Sequence, residues 1–429
     1  MLGNFDGLVD PVNFVWGPLR PADNPFNSDN LSLGPRFGFA YTADSRGDLV
    51  VRGGFGVNFQ SFDPQTYEVA TGRTVTLPNS KTYTRAEAIA RGLKYPVYNE
   101  DLASIIEAES GGKPQIGGRW NPNSKPPYAM NYTLGIQRAL TSTLMLETAY
   151  VGTRGVKFNM ARPYNQPDRI TGLRPNPGDI NGNYTDQSQQ TVYNSWQTTL
   201  KQRQSHRLLY SVNYTWGKGM SYVGGDVSPS FLGDTRGGVE DFDAVKIERS
   251  PSTGDVTHQL IGNFVYQLPS PFGGSRVGKY VLGGWELAGI WRGRTGLPMR
   301  ITQTGGRPDI VKLKGAVNSA CCNYGDLQYL NVSAFQLVDV SRASGRTIRR
   351  GHSGNAPVRG PGQTSLDLSV LKNFSIGEKK NIELKGDILN AFNQTLYRDI
   401  STNMSSINFG QVTATDPSRT IQLQLRLSF

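Results

Sequence analysis

From Thr420 to Phe429 the chain alternates without interruption. Ile421, Leu423, Leu425, Leu427 and Phe429 share one parity, and Gln422, Gln424, Arg426 and Ser428 share the other. Successive side chains leave opposite faces of a pleated strand, so this segment predicts a strand with one face suited to hydrocarbon and one to water. The same dyad recurs upstream. Ile382, Leu384, Ile388 and Phe392 interleave with Glu383, Lys385 and Asp387, and Leu366, Leu368 and Val370 with Asp367 and Ser369. Trp285, Leu287 and Trp291 repeat it, as do Leu260, Phe264 and Tyr266, and Leu208, Tyr210, Val212, Tyr214 and Trp216. The pattern weakens in YNSWQTTLKQ and returns in TLMLETAYVG, YTLGIQRAL, LVVRGGFGVNF and PRFGFAY. A period-two reading therefore predicts about eleven strands.

The links between these strands alternate in length. Those after PRFGFAY, YTLGIQRAL, YNSWQTTLKQ, QLIGNFVYQL and SLDLSVLKNF are brief, whereas residues 60–127, 154–190, 220–255, 302–362 and 393–417 form long connections. Antiparallel strands in an outer-membrane barrel have short periplasmic turns and long extracellular loops, which produces this alternation. With the last strand running towards the periplasm, every long link falls outside. Aromatic residues then gather at two levels: Phe374, Tyr266, Trp285 and Phe429 near the short turns, and Trp216, Tyr214, Tyr150, Trp291 and Phe392 towards the long loops. Amphipathic rings collect at both headgroup levels of a bilayer. The expected fold is an all-β, transmembrane antiparallel β-barrel.

Composition agrees with many short strands and polar loops. The 429 residues include 50 Gly, 25 Pro, 19 Tyr and 18 Phe. No run of 18 apolar residues is present, which argues against a transmembrane helix but not against barrel strands of about 9–11 residues. The start, MLGNFDGLVDPVNF, lacks the basic and apolar regions of a secretory signal. A net charge of +11 admits anionic partners or simply a basic solvated surface. Cys321 and Cys322 are adjacent, which fits neither a disulfide framework nor zinc spacing; a vicinal bridge and two free thiols both remain open.

Several stretches resemble, in order, the C-terminal half of large Oar-like TonB-dependent outer-membrane receptors. They are LGPRFGFAYTADSRGDLVVRGGFGVNF, NYTLGIQRALTSTLMLETAYVGTRG, YNSWQTTLKQRQSHRLLYSVNYTWGKG, LGGWELAGIWRGRTGLPM, RGPGQTSLDLSVLKNFSI and ELKGDILNAFNQTLY. The resemblance covers nearly all of residues 33–429. It implies a 22-stranded barrel occluded by an N-terminal plug, which moves a ligand inward with energy passed by TonB. It also implies that Leu425, Leu427 and Phe429 form the signal read by the barrel-assembly machinery. No plug or TonB-contacting box has a counterpart here, and about eleven strands are half of such a barrel. An open sheet in hydrocarbon leaves unpaired edges, each unsatisfied backbone group costing several kcal/mol. The expectation is therefore residues 1–34 as an extracellular loop segment and 35–429 as the C-terminal part of a barrel. The remaining strands and plug would come from the same or a second chain.

Candidate chemistry is sparse. His206, His258 and His352 have no GxSxG elbow or HExxH helix to organise them, and no enzymatic activity or cofactor is expected. The glycines at 53, 54 and 56 lack the following GK[ST] of a phosphate loop and instead suit a crowded, bent strand. Asp179, Asn181 and Asn183 are spaced like the start of a calcium loop but lack its closing glutamate; an Asn/Gly turn is the plainer reading. Arg342, Arg346, Arg349, Arg350 and Arg359 gather in one long link, placed either against lipopolysaccharide phosphates or an anionic ligand, or free in solvent. Arg292 and Arg294, with Glu383, Lys385 and Asp387, fall on water-facing positions, where they line a lumen or pair across strands.

The leading functional expectation is energised uptake through a TonB-dependent receptor in the outer membrane of a Gram-negative-type bacterium. Its partners would be outer-membrane lipid and lipopolysaccharide, and not nucleic acid. The rivals are a non-transporting barrel acting as adhesin or scaffold, and a soluble β-rich carbohydrate-binding module. The last would bury Ile421, Leu423 and Leu425 between two sheets.

Overall fold

The structure is a computed structural model that describes residues 6–18, 26–27, 31–61, 84–90, 118–177, 182–222, 239–269, 282–318, 320–322, 325–376 and 380–429. Eleven strands form one continuous antiparallel path: β1 Arg36–Thr42, β2 Leu49–Phe59, β3 Tyr128–Ala139, β4 Leu144–Tyr164, β5 Gly182–Ser205, β6 Leu208–Tyr222, β7 His258–Gln267, β8 Trp285–Arg294, β9 Gln363–Ile376, β10 Lys380–Leu389 and β11 Thr420–Ser428. Each pairs with the next in chain order. Gly118–Trp120 lies parallel beside β5, and Arg249–Pro251 antiparallel beside β6. Among the described residues β1 and β11 do not pair with each other, so the sheet is open.

Apart from the bulges at the outer end of the β4–β5 ladder and the turn end of the β5–β6 ladder, register keeps the two faces separate across the sheet. In the last ladder Leu427 lies opposite Ile382, Leu425 opposite Leu384 and Ile421 opposite Ile388, while Arg426 lies opposite Glu383 and Gln424 opposite Lys385. A slip of one residue would turn the entire strand over. The apolar parity continues along one row through His258, Trp216, Trp196, Tyr150, Leu134, Gly53 and Phe39, each opposite the next. Among the described residues nothing covers this face. Leu423 is 81% exposed, Phe37 68% and Leu134 55%. The soluble sandwich is thereby ruled out, because its core would have to be made of these residues.

The ladders also set the strand tilt. Thr42, at the first short turn, shares a row through Val50, Gln137, Glu147, Thr199, Asn213, Ile261 and Arg292 with Ser365, close to the long-loop end of β9. The fifth short turn begins only after Ile376. With about 3.3 Å per residue along a strand and about 4.8 Å between strands, this drift corresponds to a tilt of roughly 40–45°. Transmembrane barrels lie in the same range.

Where an aromatic ring crosses the apolar face, its opposite residue is often glycine. A Cβ on Gly53 would collide with the Phe39 ring, one on Gly152 with Tyr132, and one on Gly289 with Phe264. These three pairs are direct cross-strand partners. The ring of each pair fills the space that a side chain would take, which is the packing reason for Gly53 in RGGFG.

The main departure from the sequence reading concerns residues 154–190, expected as a loop. β4 runs on to Tyr164 and β5 starts at Gly182, giving strands of 21 and 24 residues. The outer ends exceed what a bilayer needs, and other loops bury Met160, Tyr164, Tyr184 and Thr185 there. Tyr164 and Tyr184 pack with Phe14, Trp16 and Phe242. A second core of Ile301, Leu330, Phe335, Val358, Phe409 and Val412 joins the links after β8 and β10. Among the described residues the buried cores therefore lie in the loops and the outer strand ends, and the spanning sheet has none on its apolar face. Phe392 also departs from expectation. β10 ends at Leu389 because Asn390 takes a left-handed φ of 50°, its side chain bridging to the backbone of Gln394 at 2.8 and 3.0 Å. Phe392 then lies in the following turn.

Candidate functional site

On the polar face, charged side chains engage their neighbours. Arg292 pairs with Asp367 at 2.7 Å, and Arg294 Nε donates to Gln363 Oε1 at 3.0 Å, both across the β8–β9 ladder. Lys385 Nζ lies 2.9 Å from Asp387, and Glu383 faces Arg426. Arg292, Arg294, Lys385 and Asp387 are thus held by neighbours on this face.

The long-loop end carries a denser arrangement. Asp241 receives Arg169 at 2.8 Å, Arg350 Nε at 2.9 Å, and Arg346. Glu240 pairs with Arg169 at 3.0 Å and with Arg307 Nε at 2.6 Å, and Arg307 continues to Glu248. Asp309 accepts from Arg349 Nη1 at 3.0 Å and from the His352 backbone N–H at 2.9 Å, while Asp255 holds Arg359. Burial pushes the Asp241 carboxyl up, but the guanidinium groups of Arg169, Arg350 and Arg346 outweigh it and hold the group at about 2. Hydrogen bonding from Arg349 holds Asp309 well below the usual carboxylate range. These contacts tie the β4–β5, β6–β7 and β8–β9 links into one layer.

The arginine cluster is therefore placed differently from either sequence reading. Arg346, Arg349, Arg350 and Arg359 are held by internal carboxylates, and Arg342 is exposed. The sequence reading passed over their counterparts, Glu240, Asp241 and Glu248. The signal for them was the acidic stretch VEDFDAVKIE in an otherwise basic chain. Arg350 also lines a cavity of ≈ 590 Å³ with Arg162, Tyr222, Asp243 and Lys246. Arg162 pairs there with Asp186 at 2.6 Å and lies 4.1 Å from the Phe242 ring centre. The cavity opens among the outer ends of β4, β5 and β6, and its chemistry suits a polar ligand that offers negative charge to Lys246 and acceptors to the guanidinium edges.

The other candidates are dispersed. Asp179 and Asn181 lie outside the described residues; Asn183 is in β5, opposite Pro163. No group of three or more His, Cys, Asp or Glu residues suited to a metal occurs among the described residues. His206 sits in the β5–β6 turn, His258 Nδ1 is 2.8 Å from the Tyr214 hydroxyl, and His352 belongs to the Asp309 cluster. Cys321 and Cys322 are joined to each other beside the loop core. Leu425 and Leu427 face outward on β11, and Phe429 is exposed at its end.

The chain is similar to several solved outer-membrane proteins. With the outer membrane transporter YddB from Escherichia coli it shares 10% identity at a TM-score of 0.47, covering 92% of this chain and 40% of that one. The ferripyoverdine receptor of Pseudomonas aeruginosa, solved bound to ferripyoverdine, gives 12% identity and a TM-score of 0.43, covering 92% and 33%. The FrpB iron transporter from Neisseria meningitidis gives 12% identity and 0.41, covering 93% and 39%. The chain thus spans two fifths or less of the length of these proteins. No curated protein sequence matches it. Residues 2–422 match the family described as "Outer membrane beta barrel domain", so this chain, with its two-faced sheet, belongs to the outer-membrane β-barrel family and resides in the outer membrane.

Proposed function

We propose that the chain forms the C-terminal part of the barrel of a TonB-dependent receptor, in which extracellular loops recognise a ligand and uptake is energised by TonB without chemistry on the ligand. The observation that carries this reading is the combination of a polar face bearing paired charges with a cross-braced loop layer at the extracellular end. The first provides a wall against which a plug can bind and slide, and the second a recognition platform around the cavity beside Arg350. In this reading the other strands and the plug complete a 22-stranded barrel, in line with the order and spacing of the stretches that resemble Oar-like receptors. Residues 1–34 belong to an extracellular segment, and Leu425, Leu427 and Phe429 are read by the barrel-assembly machinery.

A density map of the native particle, purified from outer membranes in detergent with its intact mass measured, tests this. Twenty-two strands around an ordered plug are expected. A closed, plug-free barrel made of the 47 kDa chain alone would overturn the proposal. An empty or sealed lumen with the loop layer gripped by another protein would instead favour a surface scaffold, for which a braced platform is equally suited.

A further inference from the structure

The membrane-facing side of the sheet carries a cleft at its extracellular end. A cavity of ≈ 430 Å³ is lined by Tyr150, Asn194, Trp196, Trp216, Lys218 and Thr257. Trp196 lies opposite both Tyr150 and Trp216, so the three rings form one band across β4, β5 and β6. The Tyr150 and Tyr132 hydroxyls donate to Asn194 Oδ1 at 2.8 and 2.9 Å, which satisfies their polar ends at the edge of the hydrocarbon. Immediately above the band, on the same face, stand Lys218 opposite Asn194 and Arg154 opposite Val192. Both are exposed, and neither has a carboxylate partner among the described residues. The contrast with the loop layer is sharp, because there the buried arginines of the cluster meet carboxylates. These two cations are left at headgroup depth, two strands apart and offset along the ladder, a separation of roughly 10–12 Å.

We propose that this cleft binds one phosphorylated glycolipid of the outer leaflet, with acyl chains along Tyr150, Trp196 and Trp216 and phosphates against Lys218 and Arg154. A zwitterionic phospholipid brings its own cation to each phosphate and leaves the protein charges uncompensated. A glycolipid with phosphates at both ends of its sugar core supplies two anions at a suitable span.

Native mass spectrometry of the chain purified with its native complement tests the site. Bisphosphorylated lipid A, the same lipid dephosphorylated, and phosphatidylethanolamine serve as probes. One bisphosphorylated lipid A is expected to remain bound, about fivefold more weakly in Lys218→Ser or Arg154→Ser and roughly 25-fold more weakly in the double variant. Lys218→Arg retains binding, and unchanged heat-modifiable mobility in gels shows that the variants are folded. Bromination of the acyl chains quenches Trp emission in the wild type, and replacing Trp196 and Trp216 by Leu removes the quenched component. Equal retention by the double variant, or equal binding of phosphatidylethanolamine or dephosphorylated lipid, would overturn the assignment.

Discussion

Arg307 and Glu248 form an ion pair whose side chains are 1% and 0% exposed, and Glu240 holds the same guanidinium at Nε. Arg307 comes from the β8–β9 link and the two glutamates from the β6–β7 link, so a single side chain joins two loops that are distant in sequence. Removing one partner of a buried pair leaves the other charge desolvated, at a cost of about 3–5 kcal/mol. Arg307→Ala is therefore expected to loosen the extracellular layer by about that amount while the spanning sheet stays folded. Limited proteolysis from outside intact cells, together with heat-modifiable mobility in gels, separates the two effects. Unchanged protease resistance would mean that the pair contributes little.

Acid should open the same layer. Asp241 titrates at about 2 in the folded chain against an ordinary value of 3.8. A depressed carboxylate stabilises the fold above its unfolded pKa, and that contribution fades as pH falls through the folded value. Asp309 is shifted in the same direction. Protection against hydrogen exchange around residues 239–250 and 344–353, taken relative to the intrinsic rate at each pH, is expected to fall from about pH 4 down to about pH 2. In Asp241→Asn the layer exchanges faster already at neutral pH and depends less on acid. An identical acid transition in that variant would place its origin elsewhere.

Face assignment on β11 can be tested with neighbouring residues. Leu423 is on the apolar parity and Gln424 on the polar one. Leu423→Arg should destabilise the assembled barrel by about 2–4 kcal/mol, the range for a cation near the bilayer midplane, whereas Gln424→Arg should be close to neutral. Urea unfolding in lipid bilayers measures both. Equal effects would show that the strand does not separate lipid from lumen.

The cross-strand glycines lead to a packing prediction. A side chain at Gly152 displaces the Tyr132 ring, whose hydroxyl donates to Asn194 at 2.9 Å. Gly152→Val is expected to cost about 1–3 kcal/mol, the usual penalty for overpacking, and Tyr132→Ala in the same chain should recover part of it. A double-mutant cycle in the same unfolding assay gives the coupling; zero coupling would disprove the contact.

Legibility in the sequence followed the physics of each part. The eleven strands, their order and their two faces were visible because strand periodicity is local and the bilayer imposes one environment on every second residue of the spanning segments. Phe392 was misplaced because one left-handed Asn390 ends β10, and that change leaves no mark in the apolar–polar alternation. Lys372 occupies an apolar-parity position, opposite Trp285, and is 1% exposed; its ammonium bonds the Gly283 carbonyl and lies 4.8 Å from the Phe374 ring centre. The pattern alone could not say that such a cation would be accommodated at the short-turn rim.

The loop layer was the least legible part. Arg346 and Arg350 read as facing an external anion or solvent because their partner, Asp241, lies about a hundred residues away in another link. By itself the sequence determined the strands, their parity and hence the membrane, since each rests on neighbours along the chain and on the solvent they meet. Only the tertiary structure decided the tilt, the outward extension of β4 and β5 and the pairing of the arginines, because these depend on ladder register and on loops meeting in space.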